Sequence, residues 1–268
     1  GKAKRINVIM PFLYESRQHK RSSRESLDCA LALQELTHMG VDNIITFDAH
    51  DPRVQNAIPL SGFETVRPTY QFLKGLLYLY DDLIIDSDHM MAISPDEGAT
   101  ERAVYLANVL NLDMGMFYKR RDYTRVVNGR NPIVAHEFLG SSVEGKDVII
   151  LDDMISSGDS ILDVAKQLKS RNAKRIFAAA TFGLFTNGLD KFDEAYESGL
   201  IDGVLTTNLI YQTPELLSRP YYINCDMSKY VALMIDTLNH DGSISDILDP
   251  SERIQVCVEE YKKAHGQL

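Results

Sequence analysis

Two adjacent aspartates, Asp152 and Asp153, close the apolar run "VIIL" and lead into "SSGDS" at 156–160, after which apolar residues resume. Carboxylates accept hydrogen bonds from hydroxyl groups and bind divalent cations. A short Ser/Gly loop opening a helix offers backbone N–H groups to an anion. Ser156, Ser157 and Ser160 add hydroxyls, and Gly158 lets the backbone approach a ligand closely. A sugar phosphate, with hydroxyls at one end and an anion at the other, meets both halves of this arrangement. A receiver-type acidic pair and a simple helix-capping loop are the alternatives. No G-x-x-x-x-G-K-[ST] occurs in the chain, so the loop is not a Walker A nucleotide site.

Other stretches carry compatible chemistry. Arg17 has the planar, permanently charged fork that suits polyphosphate, and Gln18 can read an adenine edge; both also read as surface residues. His50 follows an apolar run and is flanked by Asp48 and Asp51, so it is a candidate metal or phosphate ligand or a loop hydrogen-bonder. Asp96, in "SPDEG", is either a metal ligand or a helix cap. Lys119 and Arg121 alternate with Arg120 along the end of a strand-like run, which directs the first two to one side; solvated charge is the alternative.

These residues need strand ends and helix starts to hold them. Short runs rich in Ile and Val recur at 6–10, 43–47, 91–94, 114–118, 148–151, 175–181, 203–207 and 221–224, mostly separated by helical stretches. That alternation predicts an α/β fold of parallel sheets covered by helices, with ligands at the carboxyl ends of the strands. Ser22 and Glu25 form a capping-box pattern ahead of a helix that Gly40 would stop, and further helices are expected at 98–110 and 160–171. The proline-flanked stretch 58–68 reads as a crossing between lobes, and 119–147 as a long polar segment with a short strand at "VAHEFL". Two strands at 6–10 and 43–47 are too few for a covered parallel sheet, so part of the first lobe is expected to be missing from the chain.

Composition narrows the functional classes. The chain has 268 residues and a net charge of -10, which argues against a general nucleic-acid binder. The cations are nevertheless clustered, four of them in "RQHKRSSR" and five in "KRRDYTRVVNGR", as local anion sites or solvated charge. No apolar run approaches the roughly 20 residues that span a bilayer. The expectation is a soluble, cytoplasmic protein that binds neither membrane nor nucleic acid. Cys29, Cys225 and Cys257 have no metal-binding or disulfide-framework spacing.

The stretch around Asp152 resembles the ribose-phosphate loop shared by phosphoribosyltransferases and ribose-phosphate diphosphokinases. "MPFLYESRQHKR", "FDAHDPRVQ", "SPDEG" and "YKRRDYTR" resemble, in order, the diphosphokinase ATP segment, its metal-binding histidine segment, its second metal segment and the root of its catalytic loop. The resemblance continues through "ATFGLFTNG" and covers most of the chain. It implies two phosphoribosyltransferase-like lobes, 1–66 (partial, with the ATP and metal segments) and 67–220, with a strand, helix and tail at 221–268 packing back on the first. By the same resemblance, Lys119 is catalytic, Arg17 and Gln18 contact ATP, and His50 and Asp96 hold magnesium. Arg121, Asp152, Ser156, Ser157, Gly158, Asp159 and Ser160 bind ribose 5-phosphate, with Asp153 in support.

The implied activity moves the diphosphoryl group of ATP to the anomeric hydroxyl of ribose 5-phosphate, in a homo-oligomer of dimers that build into hexamers. A non-catalytic regulatory relative and a phosphoribosyltransferase are the alternatives. The chain departs from the pattern where Ser156 replaces an aspartate, Asp159 a glycine and Phe182 a histidine.

Overall fold

The computed structural model describes residues 3–21, 23–121 and 133–267. In chain order the elements are β1 (Asn7–Met10), α1 (Asp28–His38), β2 (Asn43–Phe47), a 3-10 turn (Pro52–Ala57), β3 (Gly62–Val66), α2 (Thr69–Leu79), β4 (Met90–Ser94) and α3 (Thr100–Leu110). There follow β5 (Asp113–Arg121), β6 (Ile133–Leu139), β7 (Asp147–Ile155), α4 (Asp159–Lys169), β8 (Ile176–Gly183), α5 (Asp190–Glu197) and β9 (Gly203–Thr207). The chain continues through α6 (Pro214–Leu217), β10 (Tyr222–Cys225), α7 (Ser228–Asn239), α8 (Ser245–Leu248) and α9 (Ser251–Ala264). They form an α/β protein of two compact units: Gly1–Pro68 with Thr207–Tyr211 and Asp226–Asp249, and Thr69–Thr206 with Gln212–Cys225 and Pro250–Leu268.

The first unit contains a parallel sheet in the order β1-β2-β3. The third strand corrects the sequence expectation for 58–68, which is not only a crossing. Its "GFETV" is short, its charged residue interrupts the apolar pattern, and prolines flank it, so tertiary pairing with β2 decides its state. The helix start is also later than expected. Asp28 opens α1 and Leu27 caps it without a side-chain hydrogen bond, so a box built on Glu25 does not mark its start; Ser22 lies outside the described residues.

The second unit holds a seven-stranded sheet in the order β10-β9-β8-β7-β4-β5-β6. Its central strands are buried on both faces, which explains their near-continuous apolar runs. Successive residues serve opposite layers. Met91, Ile93, Val148 and Ile150 pack with Ile161 and Leu168 of α4 and Phe192 of α5. Met90, Ala92, Ile149 and Leu151 pack with Leu76 of α2, Ala103 of α3 and Ile254 of α9. This period of two fixes β7 in register, because a one-residue slip would exchange its two layers.

Polar ties complete the second unit. Arg175 makes a two-pronged contact to the buried Asp147 at 2.8 and 2.7 Å and reaches Asp82 at 2.7 Å, joining the starts of β7 and β8 to the approach to β4. On α9, the Tyr261 hydroxyl donates to the Tyr80 carbonyl and accepts from Leu83 N–H, each over 2.9 Å. Gln267 Nε2 donates to the Leu83 carbonyl at 2.7 Å. The three cysteines are free thiols; burial raises Cys29 to about 11 and Cys225 to about 12, as expected of small buried apolar groups. Among the described residues no helix is long and apolar enough to cross a membrane.

Candidate active site

In the second unit three neighbouring strands, β5, β4 and β7, run parallel and bring Lys119, Asp96 and the 156–160 loop toward one end of the sheet. Asp152 and Asp153 are not at the strand terminus, as the sequence suggested: β7 continues through Ile155. An acidic pair was read as the end of the strand because nothing in the sequence shows that strand pairing with β8 carries on past it.

Asp153 is buried and Asp152 is half-buried. Asp152 Oδ1 accepts from Asp153 N–H at 2.8 Å. Burial, then the Asp153 charge, with a smaller contribution from Asp96, pushes the Asp152 carboxyl up to about 8. Among the described residues, burial and the neighbouring acids raise the cost of charging Asp152, and a cation or a set of ligand hydroxyls would relieve it.

The loop beyond β7 is held from one side. Leu184 N–H donates to the Ile155 carbonyl at 2.8 Å, and Thr186 N–H to the Ser156 carbonyl at 2.9 Å. In a planar trans peptide the N–H opposes the carbonyl, so the amides of Ser156 and Ser157 turn away from that neighbour. Gly158 then caps α4 at φ +83, in the left-handed region, and a Cβ there would lie 2.4 Å from the Phe192 ring. Both facts require glycine. The first turn of α4 adds N–H groups without carbonyl partners inside the helix, together with the positive end of its dipole.

Asp159 begins α4 and is exposed. Lys191 Nζ donates to its Oδ1 at 2.5 Å and Ser157 Oγ to its Oδ2 at 3.0 Å; these bonds, that to Lys191 first, hold the carboxyl below its ordinary value. Ser160 is also exposed, whereas Ser156 and Ser157 are half-buried. Phe182, at the end of β8, is buried at 2% exposure.

Asp96 is half-buried in the turn ahead of α3, whose N-cap is Ala99 and not Asp96. Its Oδ1 accepts from Gly98 N–H at 2.9 Å and Ala99 N–H at 3.3 Å, and its own carbonyl accepts from Ser94 Oγ at 2.6 Å. These turn bonds use only one carboxylate oxygen. Lys119 pairs with His136 across the antiparallel β5–β6 ladder, and the register steps between Arg120 and Arg121, where β6 carries the extra residue. The rest of "YKRRDYTR", 122–125, lies outside the described residues.

The first unit brings its own candidates together after adjacent strands. Arg17 is exposed and Gln18 half-buried in the turn beyond β1, where Gln18 N–H donates to the Glu15 carbonyl at 2.7 Å. His50 follows β2, half-buried, with its ring centroid 5.4 Å from that of His19. Asp51 is engaged by Arg53 at 2.5 Å and by His19 Nε2 at 3.2 Å. Hydrogen bonds from Arg53, with the His19 charge behind them, lower its carboxyl to about 2. His19 was not singled out in the sequence, where it is one polar residue within a cationic run; only the fold places it beside His50. Among the described residues no group of three or more His, Cys, Asp or Glu side chains is arranged to hold a metal ion.

The fold and this loop define a phosphoribosyltransferase-type domain. The phosphoribosyl transferase domain profile matches residues 73–208, and the profile of the N-terminal domain of ribose phosphate pyrophosphokinase matches 1–40. A ribose-phosphate pyrophosphokinase of Shewanella oneidensis is 30% identical over 91% of this chain and 73% of its own length. That of Pasteurella multocida is 31% identical over the same shares. A Mycoplasma genitalium relative of the same name is 30% identical over 79% of this chain, which spans only 60% of that protein's length. The crystal structure of phosphoribosylpyrophosphate synthetase from Mycobacterium smegmatis superposes with a TM-score of 0.74 at 24% identity, covering 90% of this chain and 73% of the other, which supports the fold. The chain belongs to the ribose-phosphate pyrophosphokinase family, a family of transferase enzymes.

Proposed function

We propose that the protein moves the diphosphoryl group of ATP onto the anomeric hydroxyl of ribose 5-phosphate, releasing AMP and forming phosphoribosyl diphosphate. The observation that carries this reading is the pairing, in one strand–loop–helix unit, of an acid raised by burial and a neighbouring carboxylate with an anion cradle. Asp152, with Asp153 behind it, meets ribose hydroxyls, while Ser156, Ser157, Gly158 and Ser160 with the start of α4 meet the 5-phosphate. Asp159 belongs to the same loop, and Arg121 adds a cation to the phosphate. Arg17 and Gln18 bind ATP.

Magnesium suits Asp96, which keeps one carboxylate oxygen outside the bonds to Gly98 and Ala99, a hard donor for that ion. Asp96 and His50 would each offer a ligand to magnesium, which when bound would neutralise polyphosphate charge. Lys119 supplies the cation at the reacting phosphoryl group. Transfer of this kind asks the protein mainly for positioning and charge stabilisation, and no covalent nucleophile is needed. A cytoplasmic homo-oligomer built of dimers, extending to hexamers, completes the proposal.

In the full-length protein with ATP, ribose 5-phosphate and magnesium, AMP release should depend on the sugar phosphate. Lys119→Ala should lower turnover by at least about a thousandfold while ribose 5-phosphate still binds. Sugar-independent AMP release, or full activity in that variant, would reject the assignment. A non-catalytic regulator of an active relative is the second reading, favoured by the acid at Asp159; an absence of turnover combined with a changed rate in an active relative would establish it. The match of 1–40 to the pyrophosphokinase N-terminal domain disfavours a plain phosphoribosyltransferase.

A further inference from the structure

An acid at the first position of α4 is well placed for the helix and badly placed for an anionic ligand. The amides of a helix start attract the nearest anion, and a carboxylate fixed within that turn is always near. Asp159 therefore competes with a phosphate for the same donors unless other groups hold it.

The structure provides those groups. Lys191 and Ser157 engage one oxygen each of the Asp159 carboxylate, at 2.5 and 3.0 Å. Asp159 and Lys191 together line the open groove between α4 and α5, with Leu162, Lys166 and Ala195 farther along it. Lys191 is itself unexpected where it stands. It lies in the first turn of α5, where a cation opposes the dipole and where Asp190 and Asp193 are the favoured kind of residue. The contact with Asp159 accounts for a cation at that place.

We infer that Lys191 is a positioning residue, which draws the Asp159 carboxylate toward the α4–α5 groove and leaves the loop amides to the 5-phosphate of the substrate. The inference rests on the ribose 5-phosphate reading of this loop. It explains how a loop carrying an extra negative charge still accepts an anion. Both side chains are 53% exposed, so the pair contributes little to stability and acts on ligand affinity.

Titration calorimetry of the full-length protein with ribose 5-phosphate tests it. Lys191→Met should weaken binding about fivefold, and Lys191→Arg should retain it. Adding Asp159→Asn to Lys191→Met should restore wild-type affinity, because no carboxylate is left to compete. Unchanged affinity in Lys191→Met, or a loss that Asp159→Asn does not repair, overturns the inference; the second result would make Lys191 a direct ligand. Wild-type protein that takes up no ribose 5-phosphate sinks the underlying functional reading instead.

Discussion

Acids toward the carboxyl ends of β2 and β7 are the same residue type with their carboxyl values shifted in opposite directions. β2 leads into acids and a polar loop, whereas β7 carries its acidic pair inside the strand, just ahead of one. After β2, Asp51 is compensated: Arg53 and His19 hold its carboxyl down to about 2. Within β7, burial and then the Asp153 charge hold the Asp152 carboxyl up at about 8. A compensated carboxylate contributes to the fold, whereas an uncompensated one costs stability and keeps its binding capacity for something the protein does not itself supply. The contrast separates two acids that are both simply Asp in the sequence, and under the proposed function the raised one is kept for a ligand.

The comparison can be broken at three points. The largest effect is expected from Gly158→Ala, which puts a Cβ against the Phe192 ring at a left-handed φ. It should destabilise the protein by about 3 kcal/mol in denaturant unfolding. A neutral result would mean that the loop beyond β7 is no more rigidly specified than the one beyond β2.

Asp152→Asn comes next, with the opposite sign. A raised folded value penalises the native state increasingly as pH climbs from the ordinary 3.8 through about 8. The variant should therefore be the more stable protein at pH 8, by about 2 kcal/mol, and the gap should close toward pH 4. Unfolding curves across that window check it, and a destabilised variant at pH 8 would contradict the cost assigned to charging Asp152. Asp51→Asn is the smallest of the three. Its lowered value stabilises the fold above 3.8, and that contribution is lost as pH falls through about 2. The substitution should cost about 1 kcal/mol at pH 7 and little at pH 2.

Much of the framework was legible because it is local. The runs at 43–47, 91–94 and 148–151 are strands, and the apolar spacing of Ile161, Ala165 and Leu168 marks the buried face of α4. The strand at Gly62–Val66 was missed because five residues with a charge inside and prolines outside give no usable period. The charge balance of the sites was illegible for a different reason. Asp159 meets Lys191 and Asp51 meets His19 only through the tertiary fold, and no spacing rule connects residues on separate elements. The chemistry available to each loop could be read from its residues; the state of each acid could not.

Helix α9 has a consequence for how the protein is made. Ile254, Val258 and Tyr261 cover apolar surface on α2 and α3, and Tyr261 and Gln267 satisfy backbone groups at Tyr80 and Leu83. During synthesis one layer of the larger sheet therefore stays uncovered until α9 has left the ribosome. Truncation before Ser251 would leave that layer exposed.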